Sequence, residues 1–458
     1  MEDKILTDLV GKKVLVVGLG VSGLWAARWL SGQGADVCVS EAKAKTGLDP
    51  EILREVSRLG ISLETGGHER ETFENAEMIV VSPGVPLEME LLKRAINRNT
   101  PVMGELELAG RIIDTPMIAV TGTNGKTTVT SFLGAILENA GLKVFVGGNI
   151  GTPLIAYAAQ ESKADYAVVE VSSFQLDMAR TFCPHVSIIL NISPDHLDRY
   201  VDYEAYVQSK LGIFKNQGVG NYVILNDDDK KLCSVNPSRS LTALRYGFER
   251  REGRHAFIRE RQICASLPGR KERLFPLESF GLFGKHNQAN LMAVVLAALA
   301  LDIEDRAIRK TINEFKGIAD RLEPVIELNG VAFYNDSKAT NVDAAVKAVE
   351  SLDRPIILIA GGRHKGADYA PLVSAARQSV KGAVFLGEAK EILAASFQGV
   401  LPSYEAEDMD KAVAVAFSIA GRGDAVLLAP ACSSFDMFSD YTHRGRVFRE
   451  AVGRLVSG

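Results

Sequence analysis

The chain is predicted to be an α/β protein of three domains, each built from mostly parallel strands covered by helices. Apolar runs of four to six residues alternate with helix-period segments through most of the sequence, the pattern of βαβ units. Three segments each begin afresh with a strand and a phosphate-type turn. The length of 458 residues gives room for about three cores at roughly 150 residues each.

The first segment, residues 1–105, opens with a strand at 14–17, the turn GLGVSGL, a helix through Leu30 and a strand at 36–39. A later strand at 78–81 runs into Ser82-Pro83-Gly84-Val85-Pro86. The second, residues 106–317, opens with a strand at 117–120 and TGTNGKTT. Val129, Phe132, Leu133, Ile136, Leu137 and Ala140 follow at offsets 0, 3, 4, 7, 8 and 11, which predicts one helical face. Strands at 166–169 and 186–190 come next; between about 221 and 285 the pattern is charged and irregular and is read as short strands. The third, residues 318–458, has strands at 331–334, 356–360, 383–386 and 425–429. The stretch Gly317-Ile318-Ala319 between the last two is a candidate hinge.

Composition narrows the function classes. Hydrophobic residues make up 47% and charged residues 24%, as in ordinary globular proteins. A formal net charge of −5 argues against nucleic acid as a partner. The longest apolar run, residues 291–301, is about half a membrane span, so no membrane insertion is expected. The start, MEDKILTDLVGKK, lacks the apolar stretch of a secretory signal. Cys38, Cys183, Cys233, Cys264 and Cys432 are scattered, without C-x-x-C, as reduced thiols would be. A cytoplasmic protein is expected.

Gly18, Gly20 and Gly23 form G-x-G-x-x-G between a strand and a helix, where backbone N–H groups and the helix dipole favour a diphosphate. Glu41 stands where a ribose-binding acid belongs in a nicotinamide domain. A nicotinamide site, another nucleotide diphosphate or a tight structural turn fit this signal equally. The second turn says more. Gly122, Thr123, Asn124, Gly125, Lys126, Thr127 and Thr128 lie between a strand and an amphipathic helix. Lys126 can reach β/γ oxygens of ATP and Thr127 can bind Mg²⁺, although Val120 replaces the first glycine of the usual pattern. Glu170 ends a strand beside this loop, as a Mg²⁺ ligand would, or as an ordinary surface Glu closing a strand. Asp195-His196 at a further strand end suits a second metal or substrate anions; His68, His185 and His255 are read as structural.

These motifs, taken in order, resemble the Mur ligase family: TGTNGKTT, EVSSFQLD, SPDHLDRY, YEAYVQSK, GKHNQAN, DRLE, NDSKATN and APACSSFD, with GLGVSGL and SPGVP before them. The resemblance covers the whole chain. It implies a Rossmann-like N-terminal domain, a central ATPase domain and a Rossmann-like C-terminal domain. It implies that the first turn (Gly18, Gly20, Val21, Ser22, Gly23) with Ser82, Pro83 and Gly84 holds a uridine diphosphate, and that Asn149 and Ser172 face the muramoyl-alanine part of that substrate. By the same likeness Asn290, Arg321 and Asp336 join the ATP site, which their position before helical segments would otherwise mark as capping for Asn290 and Asp336. Two Mg²⁺ sites are implied, with Mn²⁺ as an alternative: one on Thr127 and Glu170, the other on His196 and Lys210. Lys210 matches a lysine that this family carbamylates; by itself it reads as a solvated helix residue in a helix over 203–214.

Lys338, Thr340, Lys365, Ser434 and Tyr441 match the amino-acid pocket, where two carboxylates need cations and hydroxyls. His364 and Tyr441 depart from residues common in relatives. The implied substrates are UDP-N-acetylmuramoyl-L-alanine and D-glutamate, joined through an acyl phosphate and a tetrahedral intermediate by a monomeric enzyme. The string DNPR of the diaminopimelate-adding members is absent. A nicotinamide-dependent oxidoreductase and a nucleotide switch without ligase chemistry are the rival readings.

Overall fold

The computed structural model describes residues 6, 8–160, 163–195, 199–277, 280–282, 284–315 and 317–457. Among them the strands form three successive sheets. The first contains β1 (Lys13–Val17), β2 (Asp36–Glu41), β3 (Ser62–Thr65), β4 (Met78–Val81) and β5 (Val102–Gly104), all parallel, in the order β3-β2-β1-β4-β5. Strand order reverses between β1 and β4, which opens a crevice at their carboxyl ends, where the Gly18 and Ser82 turns lie.

The second sheet contains β6 (Met117–Thr121), β7 (Val144–Gly148), β8 (Tyr166–Glu170), β9 (Val186–Ile189), β10 (Tyr222–Asn226), β11 (Thr242–Tyr246), β12 (Ala256–Arg259), β13 (Gln262–Ala265) and β14 (Arg273–Pro276). Their order is β14-β13-β12-β11-β10-β9-β6-β8-β7, with β12 to β14 antiparallel. The irregular stretch is thus β10 to β14, the far wing of this sheet. β6 is buried at every residue, as expected for a parallel strand covered on both faces. The helix Lys126–Asn139 buries Val129, Phe132, Leu133, Ile136 and Leu137. Ala140, assigned to the same face by its spacing, is instead the exposed C-cap. The long apolar run is the second half of the helix Lys285–Ala300, buried on all sides from Asn290 onward.

The third sheet contains β15 (Glu323–Leu328), β16 (Val331–Asn335), β17 (Ile356–Gly361), β18 (Val380–Leu386), β19 (Ser403–Glu405) and β20 (Ala425–Leu428), in the order β15-β16-β20-β17-β18-β19. β15 pairs antiparallel with β16 across Asn329-Gly330, both at positive φ, as a two-residue hairpin turn requires.

The first two segments share one apolar core. Val16 and Leu30 belong to the same cluster as Leu106, Leu154, Ile155 and Val169, joined by the helices Val21–Gly32, Glu105–Ile112 and Leu154–Ala158. Two carboxylates are buried at this junction. Glu107 accepts from Arg180 N, Thr181 N, Phe182 N and the Thr181 hydroxyl, and pairs with Arg111 at 2.7 Å. Burial opposes its ionisation, but these donors outweigh it and hold its pKa below the usual value. Glu105, 1% exposed, takes the Ile155 N–H at 2.7 Å, and burial pushes its pKa up to about 7. Between the ordinary value of 4.5 and about 7 the unfolded chain releases this proton while the folded chain keeps it, so stability falls as pH rises. The full loss is roughly 3 kcal/mol. Glu105→Gln is expected to flatten Tm between pH 5 and 8 relative to the parent; parallel curves would contradict this.

Candidate active site

β6 delivers the chain into a loop with Gly122 at φ +149° and Gly125 at φ +88°. A Cβ on Gly125 would lie 2.7 Å from the Asn290 Oδ1, so glycine lets that helix close over the loop. The loop is fastened from β9's side: Thr123 N donates to Asn191 O at 2.9 Å, Asn124 N to Asn191 Oδ1 at 2.9 Å, and Asn191 Nδ2 back to Asn124 O at 3.0 Å. Lys126 opens the following helix and its Nζ donates to the carbonyls of Gly122 and Thr123, each at 2.9 Å. Burial lowers its pKa, Glu170 pulls the other way, and Arg321 adds to the lowering.

Glu170 closes β8 and gathers the rest. The Thr127 hydroxyl donates to Glu170 Oε2 at 2.8 Å, Asn149 Nδ2 to Oε1 at 2.9 Å, and Arg321 Nη2 to the Thr127 oxygen at 3.0 Å. Glu170 is 1% exposed, which removes the reading of a surface residue. A hydroxyl and a carboxylate side by side are hard oxygen donors that fit Mg²⁺. That ion takes one or two carboxylates plus phosphate oxygens rather than a protein cage. No cage of three or more His, Cys, Asp or Glu exists among the described residues. His196 lies outside them; the adjacent Asp195 Oδ2 accepts from Asn341 Nδ2 at 3.1 Å.

Lys210 corrects the expectation from its helix. It is 2% exposed: the helix Tyr203–Leu211 turns Tyr206, Val207 and Lys210 inward, and ends before a short 3₁₀ turn over Gly212–Phe214. Its Nζ donates to Gly122 O at 3.0 Å and stands 4.6 Å from the centre of the Tyr206 ring. Burial first, then the charge of Lys126, puts its pKa well below the ordinary value.

Asp336, Lys338 and Thr340, in the segment after β16, line the same cavity as Thr123–Thr128, Glu170, Asn290 and Arg321. Burial pushes Asp336 up to about 7, and burial with Arg321 brings Lys338 down to about 8. Lys338 Nζ sits 3.7 Å from the centre of the Tyr441 ring, a cation–π contact. Neither Asn290 nor Asp336 is a cap. Asn290 lies inside its helix, and Asn341 caps the helix Val342–Glu350. Lys365 and Ser434 do not line this cavity. Lys365 is exposed on the loop after β17 and Ser434 is buried after β20, in loops joined by the bridge between Arg363 and Ser433.

The other turn forms a second cavity, lined by Gly18, Gly20, Val21, Ser22, Ser82, Pro83, Gly84 and Asn149. A Cβ on Gly23 would stand 2.0 Å from Gly18 O, so the helix can start this close to the turn only with glycine there. Ser82 Oγ donates to Gly18 O at 2.8 Å. The Glu41 carboxylate accepts from Leu19 N at 2.7 Å and Lys43 N at 2.9 Å and also lines this cavity. His68, taken as structural, holds Ser40 Oγ at 2.8 Å and also lines this cavity. Ser172 makes a capping box with Gln175 over Ser173–Leu176, and it is Gln175 that faces the cavity. Asn149 lines both cavities, so they meet beside Glu170 and Thr127.

Sequence reasoning missed three contributors. Arg199 donates to the carbonyls of Pro83, Gly84 and Val85 at 3.1, 3.3 and 2.7 Å and stacks 4.2 Å over Phe174, fixing the first domain's loop to the central domain. His286 lines the same cavity as the Gly122–Thr128 loop, and burial holds its pKa down at about 4. Asp343 lies on the third domain's helix and bonds to the phosphate loop. Arg199 and His286 stand inside motifs already noted; Asp343 has the i, i+4 spacing with Lys347 as its sequence signal.

Three family models match the chain in order: Mur ligase MurD-like, N-terminal domain over residues 12–104, Mur ligase middle domain over 120–298, and Mur ligase, glutamate ligase domain over 320–432. The UDP-N-acetylmuramoylalanine–D-glutamate ligase of Desulfosudis oleivorans is 44% identical over 450 residues, covering 98% of this chain and 97% of that one. The chain belongs to the Mur ligase family. A ligase of the same name from Koribacter versatilis is 41% identical to this Mur ligase over 98% of the chain and 99% of its own. Among solved structures, a pseudomurein peptide ligase type C from Methanothermus fervidus has a TM-score of 0.60 at 21% identity, over 97% of this chain and 100% of its own. A MurF ligase from Thermotoga maritima in complex with ADP also scores 0.60, at 15% identity over 98% and 100%. At these identities both likenesses speak for the three-domain Mur ligase fold alone.

Proposed function

We propose that this Mur ligase is an ATP-dependent acid–amino-acid ligase that adds D-glutamate to UDP-N-acetylmuramoyl-L-alanine, a step of peptidoglycan precursor synthesis. The observation that carries this reading is the meeting of two cavities at Asn149, where a phosphate loop faces the end of a diphosphate-type pocket. The full-length identity with ligases of that name supports the choice of substrates.

The Gly18 turn and Ser82–Gly84 hold the uridine diphosphate, so that the alanine carboxylate reaches the Asn149 end. Lys126 and the helix N-terminus hold the β- and γ-phosphates there. The carboxylate oxygen attacks the γ-phosphorus, ADP leaves, and an acyl phosphate results. The amine of D-glutamate then attacks the carbonyl carbon, loses a proton, and the tetrahedral intermediate expels inorganic phosphate. Lys338, Thr340 and Tyr441 bring the amino acid from the third domain, with Lys365 and Ser434 at its outer side. Asn290, Arg321 and Asp336 surround the rest of the nucleotide. Thr127 and Glu170 would hold one Mg²⁺ (or Mn²⁺), and His196 with Lys210 a second; such ions offset the repulsion between two anions that must meet. Lys210 suits carbamylation, in which its neutral amine adds to CO₂ and releases a proton, because burial lowers its pKa and so favours that neutral form. We place the enzyme in the cytoplasm, where ATP is supplied, and read it as a monomer. No helix among the described residues is long and apolar enough to cross a membrane.

Phosphate release measured with ATP, the uridine substrate and a panel of amino acids tests the assignment. D-glutamate should be the preferred amine, and release should require all three substrates; release without an amine, or equal rates with every amine, would refute it.

A further inference from the structure

One carboxylate gathers several of the bonds across the face between the third domain and the phosphate loop, beside the Arg321–Thr127 and Asn341–Asp195 bonds. Asp343 stands in the first turn of the helix Val342–Glu350, where a negative charge suits the helix dipole. Its Oδ2 accepts from Asn124 Nδ2 at 2.6 Å, from Ser193 Oγ at 3.0 Å and from Lys347 Nζ at 2.8 Å. Asn124 belongs to the phosphate loop and Ser193 to the segment after β9, so one oxygen bridges two central-domain elements and its own helix. Both donors are wired further in. The Asn124 backbone exchanges two hydrogen bonds with the Asn191 side-chain amide. Ser193 N donates to the Thr123 hydroxyl, which contacts the Tyr206 OH at 3.1 Å, on the ring beside Lys210. Asn341, two residues before Asp343, adds its bond to Asp195. Lys347 balances the charge of Asp343, so the carboxylate can lie beside a polyphosphate site without opposing it.

We propose that Asp343 is a positioning residue that latches the amino-acid domain onto the phosphate loop, so that the state of the nucleotide site governs where the amine donor is held. This rests on the assigned ligase reaction. The latch grips loop residues rather than substrate, and it acts across the face that must close when an acyl phosphate in the central domain meets an amine carried by the third. Gly317, at φ +90° just before the third sheet, is where the chain can turn as the face opens.

The test uses the full chain with Asp343→Ala, Asp343→Asn, Ser193→Ala and the Asp343→Ala/Ser193→Ala double variant. Asp343→Ala should raise KM for D-glutamate and lower kcat, each by about tenfold, while KM for the uridine substrate stays within about twofold. Asp343→Asn, which keeps an acceptor oxygen, should restore part of the loss. The double variant should be no worse than Asp343→Ala, because both remove one shared bond. Small-angle scattering with ATP alone should show the parent more compact than Asp343→Ala. A natively melting Asp343→Ala with parental D-glutamate KM, or strictly additive effects of Ser193 and Asp343, would overturn the latch. If the parent makes no amide from D-glutamate, the assigned reaction fails, and the latch then stands or falls on whether scattering separates parent from variant.

Discussion

Lys210→Ala is expected to retain about a thousandth of the parental kcat or less, with part of the loss returned by millimolar acetate or formate. The lysine is sealed in the protein, donates to Gly122 O at 3.0 Å and sits beside Lys126, a poor place for a second ammonium. A protonated Nζ at 4 Å from a divalent ion would repel it by about 4 kcal/mol per unit-charge pair at an effective dielectric near 20. A carbamate carries the opposite charge and oxygen donors, which Mg²⁺ prefers. A small carboxylic acid fills the space left by alanine and supplies the same kind of oxygen. Turnover measured with and without added acid checks this. An alanine variant within tenfold of the parent, or one indifferent to every acid, would remove Lys210 from the metal chemistry.

Glu170→Ala and Thr127→Ala should each lower kcat by on the order of 10²-fold while KM for the uridine substrate barely moves. Charge develops at the phosphoryl group during transfer; Thr127 and Glu170 stand 2.8 Å apart in the cavity proposed for the nucleotide, whereas the cavity proposed for the uridine substrate is lined by other residues. Glu170→Ala also deprives Asn149 and Thr127 of their acceptor, a fold cost of about 1–3 kcal/mol. Glu170→Asp, which keeps a carboxylate, separates that cost from the chemical one by recovering melting temperature. If either alanine variant raised only KM for the uridine substrate, the metal assignment would be wrong.

The strand–turn–helix starts at Lys13 and Met117 were legible because fully buried parallel strands are continuous apolar runs and glycines mark the turns. The β15–β16 hairpin was missed although Asn329-Gly330 signals it, because Glu323 and Glu327 hide the apolar alternation of an edge strand. Without the family resemblance Lys210 reads as solvated, because a charged residue on a polar-looking helix gives no local sign of burial; its partner comes from β6's loop, far off in sequence. The same holds for Asp343 and Arg199, whose roles exist only once separate domains touch. Motif likeness named residues that the structure gathers around one cavity, but it named Ser172, engaged in a cap, where Gln175 is the residue that lines the cavity of the Gly18 turn.

The fused core of the first two domains gives the molecule the mechanics of a vice with one fixed jaw. Val16, Leu30, Leu154 and Val169 share one apolar interior, and Arg199 pins the Pro83–Val85 carbonyls, so the cavity of the Gly18 turn is tied to the sheet that carries Glu170. The clusters of the third sheet are separate from that interior. If the third domain closes as proposed, it is the screw of the vice, and a substrate held in the cavity of the Gly18 turn rides on the anvil with the Gly122–Thr128 loop.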